Sequence, residues 1–216
     1  MSKDAELRCR CGDVYGRVTN PSPETVNRVI CYCDDCQAYL HYLNRADLLD
    51  EHGGTDTVLV APGALSFHRG NERIVGLRLT PKGLYRWYAS CCKTPIGNTL
   101  GLTIPFVGIV TKAFDDDAHR LDELFGKPIG AHQIKYAVGA TPGGSRRFNR
   151  RIILRMLRLS LGWRLSGQTW PHPFFDRATR TLSHPLTTLS RTEREVLRPL
   201  CGPHPAAHSD PMVEGS

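Results

Sequence analysis

The sequence has no apolar run approaching the ~18 residues that a bilayer-crossing helix needs, and it has no internal repeat or low-complexity tract. Its first residues, MSKDAELRCRCG, contain neither the apolar core of a signal peptide nor the acid-free amphipathic pattern of a transit segment. A composition of 40% hydrophobic residues over 216 positions, with 20 glycines and 15 prolines, excludes collagen, a coiled coil and a wholly disordered chain. The expectation is a domain of ~100–200 residues with an appendage, in the cytoplasm. Cysteine is nearly missing from the second half: seven of the eight lie in the first 92 residues, as Cys9/Cys11, Cys31/Cys33/Cys36 and Cys91/Cys92, leaving Cys201 alone. In a reducing compartment, thiols clustered in this way are metal ligands or catalysts more often than disulfides.

Acidic residues are missing from one segment. Residues 1–143 carry 16 basic and 16 acidic side chains, residues 144–165 carry seven arginines and no acid, and residues 166–216 carry five of each. The net positive charge therefore belongs to one short stretch. The cysteine-bearing region lacks the basic face that a nucleic acid requires, so nucleic acid is not the expected partner.

Residues 7–20 and 26–32 read as strands separated by Asn20, Pro21 and Pro23. Helix formers with apolar positions at 38, 39, 42 and 43 predict a helix over Cys36–Leu49, capped by Asp34 or Asp35. Short strands follow at 57–60, 64–68, 73–79 and 84–88, with PG, RGN and PKG as turns. Further strands are expected at Ile104–Val110 and Tyr136–Ala140, and the break TPGG at 141–144 marks a boundary. This makes 1–143 a mainly β domain. The region 144–216 reads as an extension: a basic helix at 146–163, a loop WPHPFFD at 170–176, and a helix at 191–198 announced by the capping box Ser190 to Glu193.

Zinc takes four tetrahedral ligands, and a Cys-x-Cys turn can aim two thiolates at one ion while a second pair arrives from a distant loop. Cys9/Cys11 and the Cys91/Cys92 region make such a set. Cys31, Cys33 and Cys36 give three thiols within six residues, one short of a closed structural site and matching the three-ligand arrangement of catalytic zinc. The spacing is also compatible with all seven thiols serving closed structural sites.

The run Cys9-Arg-Cys11-Gly12, then Cys31-Tyr-Cys33-Asp-Asp35-Cys36 entering a helix, then Trp87-Tyr88-Ala89-Ser90-Cys91-Cys92-Lys93-Thr94-Pro95-Ile96, resembles the glutathione-dependent formaldehyde-activating enzyme family, which includes centromere protein V. The likeness covers roughly residues 7–110. It implies folded antiparallel sheets of the β-tent type tied by one structural zinc, with a second, catalytic zinc held by Cys31, Cys33 and Cys36 beside a thiol-binding cleft. The implied activity is that of a carbon–sulfur lyase acting on glutathione-type thiol adducts of aldehydes such as formaldehyde. Cys9, Cys11 and Cys92 carry over to the structural site. The sequence departs from the family at Ala89, where a cysteine would stand, and at Lys93, where glycine is usual; the additional thiol is Cys91.

Asp34 and Asp35 beside the triplet either cap the helix, the commoner role, or steady a ligand thiol. His41 and Asn98 have bland readings as a half-buried histidine and a turn residue, and His172, His184, His204 and His208 show no paired metal spacing. On the basic helix Phe148, Ile152, Met156, Leu159 and Trp163 form one face, and Arg147, Arg151, Arg155 and Arg158 a stripe opposite, interrupted by Leu154. Docking on the chain's own domain is the commonest fate of such a helix. An anionic surface or an acidic partner is the alternative, which makes a non-catalytic zinc-stabilised binding module the rival function class.

Overall fold

The structure, a computed structural model, describes residues 4–114, 117–139 and 150–202. Arg147, Phe148, His204, His208 and the expected boundary at 141–144 lie outside these residues.

The fold is mainly β, as expected. β1 (Ala5–Arg8), β2 (Tyr15–Val18), β3 (Asn27–Cys31), β4 (Thr55–Val60) and β5 (Leu65–Arg69) are followed by β6 (Ile74–Arg78), β7 (Tyr85–Ala89) and β8 (Thr94–Thr99). β9 (Val107–Val110), β10 (Ala131–His132) and β11 (Leu186–Thr188) complete the strands of the described residues. β1, β2 and β5 form a three-stranded antiparallel sheet. The main sheet has the order β10-β3-β4-β9-β8-β7-β6-β11, antiparallel except at its two edges, where β10 and β11 run parallel to their neighbours.

Among the described residues four α-helices accompany the sheets: α1 (Asp34–Tyr42), α2 (Ala118–Phe125), α3 (Arg150–Leu165) and α4 (Arg191–Leu197). No helix among the described residues is long and apolar enough to cross a membrane.

The local differences from expectation have physical causes. The single strand expected over 7–20 is a hairpin, because Gly12 takes a left-handed conformation (φ 83°) and Cys9–Val14 closes into a tight loop with Cys9 N–H donating to Val14 O at 3.0 Å. The helix expected to reach Leu49 ends at Tyr42, where Asn44 at φ 55° turns the chain out of the helix. Residues 96–99, read as a turn, are part of β8. Ile134–Tyr136 is a single tight turn rather than the start of a strand. α2 was not foreseen; Asp117 caps it by accepting from Arg120 N–H at 2.8 Å. The capping box at Ser190 and Glu193 forms as expected.

The main core lies between the sheets around the fully buried Trp87, whose ring stacks on Phe174 with centroids 4.4 Å apart. Phe174 comes from the WPHPFFD loop, so this part of the extension is core material for the β region. Burying an aromatic pair of this kind stabilises the fold by several kcal/mol through area alone. His172 and His184 pack edge-on around the same rings, which places these unassigned histidines in the core.

Candidate metal sites and their cleft

The structure brings the sequence's cysteines together in two groups. Sγ atoms of Cys9, Cys11, Cys91 and Cys92 lie within 4.8 Å of one another, and so do those of Cys31, Cys33 and Cys36. In a tetrahedron with metal–sulfur bonds of ~2.3 Å, the sulfur–sulfur edge is about 3.8 Å. The observed separations are 3.5 Å for Cys9–Cys11, 3.3 Å for Cys11–Cys91 and 3.9 Å for both Cys9–Cys91 and Cys91–Cys92. In the triplet, Cys31 lies 3.4 Å from Cys33 and 3.7 Å from Cys36. Both donor sets therefore fit a small thiophilic cation.

The four-thiol group is built by two tight turns. The loop after β1 carries Cys9 and Cys11, with Val14 N–H donating to Cys9 Sγ at 3.2 Å. The turn between β7 and β8 carries Cys91 and Cys92. Ala89 is fully buried on β7, opposite Ile74 and Thr94, and the turn beyond it closes through Lys93 N–H to Ala89 O at 2.9 Å with Lys93 left-handed (φ 58°). Although burial pushes the Cys92 thiol up, the Thr94 hydroxyl 3.1 Å away and nearby backbone N–H groups bring it down to about 6.

The triplet spans the end of β3 and the first turn of α1. Cys33, rather than either aspartate, is the helix cap: the helix starts at Asp34, so Cys33 is the last extended residue and its Sγ accepts from Cys36 N–H at 3.3 Å. Gln37, 1% exposed, fastens the loop from behind, donating to Tyr32 O at 2.8 Å and Tyr136 O at 3.0 Å and accepting from Gly202 N–H at 2.6 Å. Hydrogen bonds from Cys31 and Cys33, against the opposing effect of burial and with help from the Arg86 guanidinium, hold the Cys36 thiol well below its usual range.

Arg86 is the residue the sequence reading missed. It is 1% exposed on β7, with Nη1 3.6 Å from Cys36 Sγ and Nη2 3.8 Å from an Asp35 oxygen, and Nη2 makes no hydrogen bond. A charged residue between Tyr85 and Trp87 in an otherwise apolar strand is the signal that could have found it.

The triplet opens onto a cleft of about 710 Å³. One cross-strand row of the main sheet supplies its floor, since Asn27 pairs with Leu59, Leu59 with Gly108, Gly108 with Asn98 and Asn98 with Arg86. Asn98 thus faces the cleft from a strand, not a turn. At Gly108 the floor has no side chain, and a Cβ there would meet Asn98 Oδ1 at 2.9 Å. His132 on β10 lines the same end, and burial holds its imidazole below the usual range despite the opposing pull of Cys36.

α3 forms the opposite wall. Ile152 and Trp163 are buried and Met156 and Leu159 half-buried, so the face expected to dock does dock. The arginine stripe is only partly outward: Arg155 turns in, donating to Val26 O at 2.9 Å and also reaching Pro23 O, because carbonyls at the start of β3 need donors there. Arg151 and Arg158 are exposed. The outer face also carries Leu154, Leu157, Leu161 and Leu165, 58–80% exposed. Cys201 is half-buried and belongs to neither thiol group; burial pushes its thiol up to about 11.

Fold and site together define a mixed-sheet β protein with two cysteine groups able to hold metal ions, one closed and one opening on a cleft. The chain belongs to the family of unknown function DUF6151, which it matches over residues 1–182. A solved crystal structure of a Rhodobacter sphaeroides protein is similar at 13% identity with a TM-score of 0.41, over 59% of this chain and 99% of that one. No curated protein matches the chain.

Proposed function

We propose that both cysteine groups hold zinc, the four-thiol set as a structural tie in a β-tent-like fold and the triplet as a reactive site, and that the protein is a carbon–sulfur lyase for thiol adducts of aldehydes. The observation that carries this reading is the triplet's opening onto the cleft, with the unbonded Arg86 Nη2 beside it. The resemblance to the glutathione-dependent formaldehyde-activating family suggests the same chemistry. Zinc bound at the triplet supplies a Lewis acid that favours thiolate over thiol.

The chain's own groups perform the rest. In the forward direction a thiol sulfur bonds to the aldehyde carbon, the carbonyl π bond opens, and the thiol's proton ends on the oxygen; cleavage is the reverse. Arg86 offers an N–H and a fixed positive charge to the oxygen as it becomes negative. Asn98 can hydrogen-bond the adduct from the floor. Partial burial of His132 favours its neutral form, the form that accepts a proton.

The test is native-mass metal counting on protein purified without chelator, with exchange NMR on a thiol and formaldehyde. Two zincs falling to one in a folded Cys33→Ser variant, with loss of the acceleration of adduct exchange, is the expected result. A single zinc that survives the substitution, or no acceleration by fully loaded protein, overturns it.

A second reading rests on the outer face of α3. Four exposed leucines at spacings of three, four and four, flanked by exposed Arg151, Arg158 and Arg164 and by no acid within the helix, have the chemistry of a helix lying on an anionic lipid surface.

A further inference from the structure

The cleft beside the triplet gathers its thiols and charged groups at one end and is mainly apolar along the rest, and this segregation bears on what it holds. The polar end carries the three thiols, Arg86, Asn98 and His132. Away from it the walls are Leu59, Phe106, Ile153 and Met156, drawn from β4, the approach to β9, and α3, with the largely exposed Leu157 at the rim between the cleft and the outer face of that helix. Among the described residues no lysine lines the cleft, and Arg86 is its one arginine.

The length follows from the sheet. Asn27, Val29 and Cys31 alternate onto the same face of β3 and all line the cleft, so it runs at least four residues along the strand, or about 13 Å. Gly108 leaves the floor open midway.

Among the described residues, three polar atoms buried in the lining have no hydrogen-bond partner: Arg86 Nη2, Asn27 Oδ1 and Ser160 Oγ. Asn27 is fully buried and Arg86 is 1% exposed, its Nη2 having only the 3.8 Å ion pair to Asp35, so each leaves a hydrogen bond for an occupant of the cleft to supply. Arg86 stands at the reactive end, whereas Asn27 and Ser160 stand by α3, toward the other.

We infer that the cleft accepts an aldehyde adduct of a thiol with an apolar, aliphatic body several carbons long, rather than a small polar peptide thiol, and that α3 creates this selectivity. The sulfur and the adduct hydroxyl lie at the triplet and Arg86, and the hydrocarbon runs along β3 beneath Ile153 and Met156. A dicarboxylate peptide such as glutathione would place its charges against leucine, phenylalanine and methionine, with Arg86 the one fixed cation among the described residues of the lining. The inference rests on the proposed reading of the triplet as a thiol-binding metal site.

The experiment measures thiol binding to the cobalt-substituted full chain by the thiolate-to-cobalt absorption band, for ethanethiol, butanethiol, hexanethiol and glutathione. Each methylene buried fully strengthens binding about fourfold. Affinity is expected to climb steadily from ethanethiol to hexanethiol, with glutathione weaker than butanethiol, and the slope to flatten in Ile153→Asn with metal content unchanged. A flat series in which glutathione binds as well as hexanethiol overturns the inference while leaving the triplet a thiol site. Failure of every thiol to perturb the cobalt band overturns both. The series on the unaltered protein decides the matter even if the variant does not fold.

Discussion

Nη1 of Arg86 lies 3.6 Å from Sγ of Cys36, a buried guanidinium in contact with the thiol that the triplet holds most strongly as thiolate. The two residues are 50 positions apart, and only the pairing of β7 with β6 and β8 sets the arginine beneath α1. The contact explains how Cys36 can carry negative charge in a buried place while Cys31 and Cys33 are held up as thiols: the nearby cation offsets the cost of desolvation.

Replacing this cation should alter metal loading. Arg86→Met removes the charge that favours the Cys36 thiolate, and zinc binds the deprotonated form, so the pH of half-loading of the triplet is expected to rise by about one unit, corresponding to ~1.4 kcal/mol. Native mass spectrometry across a pH series measures it, with the four-thiol group as internal reference. An unchanged midpoint would show that Arg86 does not act on the thiols.

Lys93 occupies a left-handed conformation in the turn bearing Cys91 and Cys92. For a residue with a Cβ this costs ~1–2 kcal/mol, part of which glycine returns as unfolded-state entropy. Lys93→Gly is expected to stabilise the fold by about 0.5–1 kcal/mol in denaturant titration, even though it loses a weak cation–π contact with Tyr88. Lys93→Ala should give no such gain.

Burial lowers His172 from 6.5 to about 4, and His184 is lowered for the same reason. The unfolded chain therefore takes up these protons before the folded one does. Stability is fully present above pH ~6.5, falls as the pH drops toward ~4, and levels off below, with His172 accounting for up to about 3 kcal/mol. His172→Gln, which keeps an acceptor for the Phe174 N–H bond, is expected to flatten this slope in chemical denaturation between pH 7 and 4. A slope identical to wild type would remove His172 as its source.

The outer face of α3 can be tested separately from the cleft. The protein is expected to sediment with phosphatidylserine-containing vesicles at low salt, less so at high salt, and not with neutral vesicles. Leu154→Glu together with Leu161→Glu should abolish the binding; sedimentation unaffected by the double variant would dismiss the lipid reading.

Much of this arrangement was legible in the sequence. Cys-x-Cys and Cys-x-Cys-x-x-Cys fix thiols within one turn of chain, so their convergence follows from local geometry. The docking face of α3 and the Ser190 capping box are likewise local, the first from a 3.6-residue period and the second from a four-residue span. The choice of Cys33 as cap was not legible, because it depends on which residue leaves β3 last, and aspartates beside a helix start are the usual caps. Arg155 read as an outward charge because the stripe it shares says nothing of carbonyls at Pro23 and Val26.

The sequence by itself determined that this is a mainly β chain with two sets of clustered thiols and a two-sided C-terminal helix, since periodicity, turn residues and short cysteine spacings act over a few residues. Tertiary structure alone decided that Cys91 joins Cys9, Cys11 and Cys92 while Ala89 stays in the core. It also decided that Arg86 neighbours the triplet and that α3 roofs a cleft above it. These depend on strand register and on packing between segments tens of residues apart, where a shift of one residue would turn each side chain to the opposite face of its sheet.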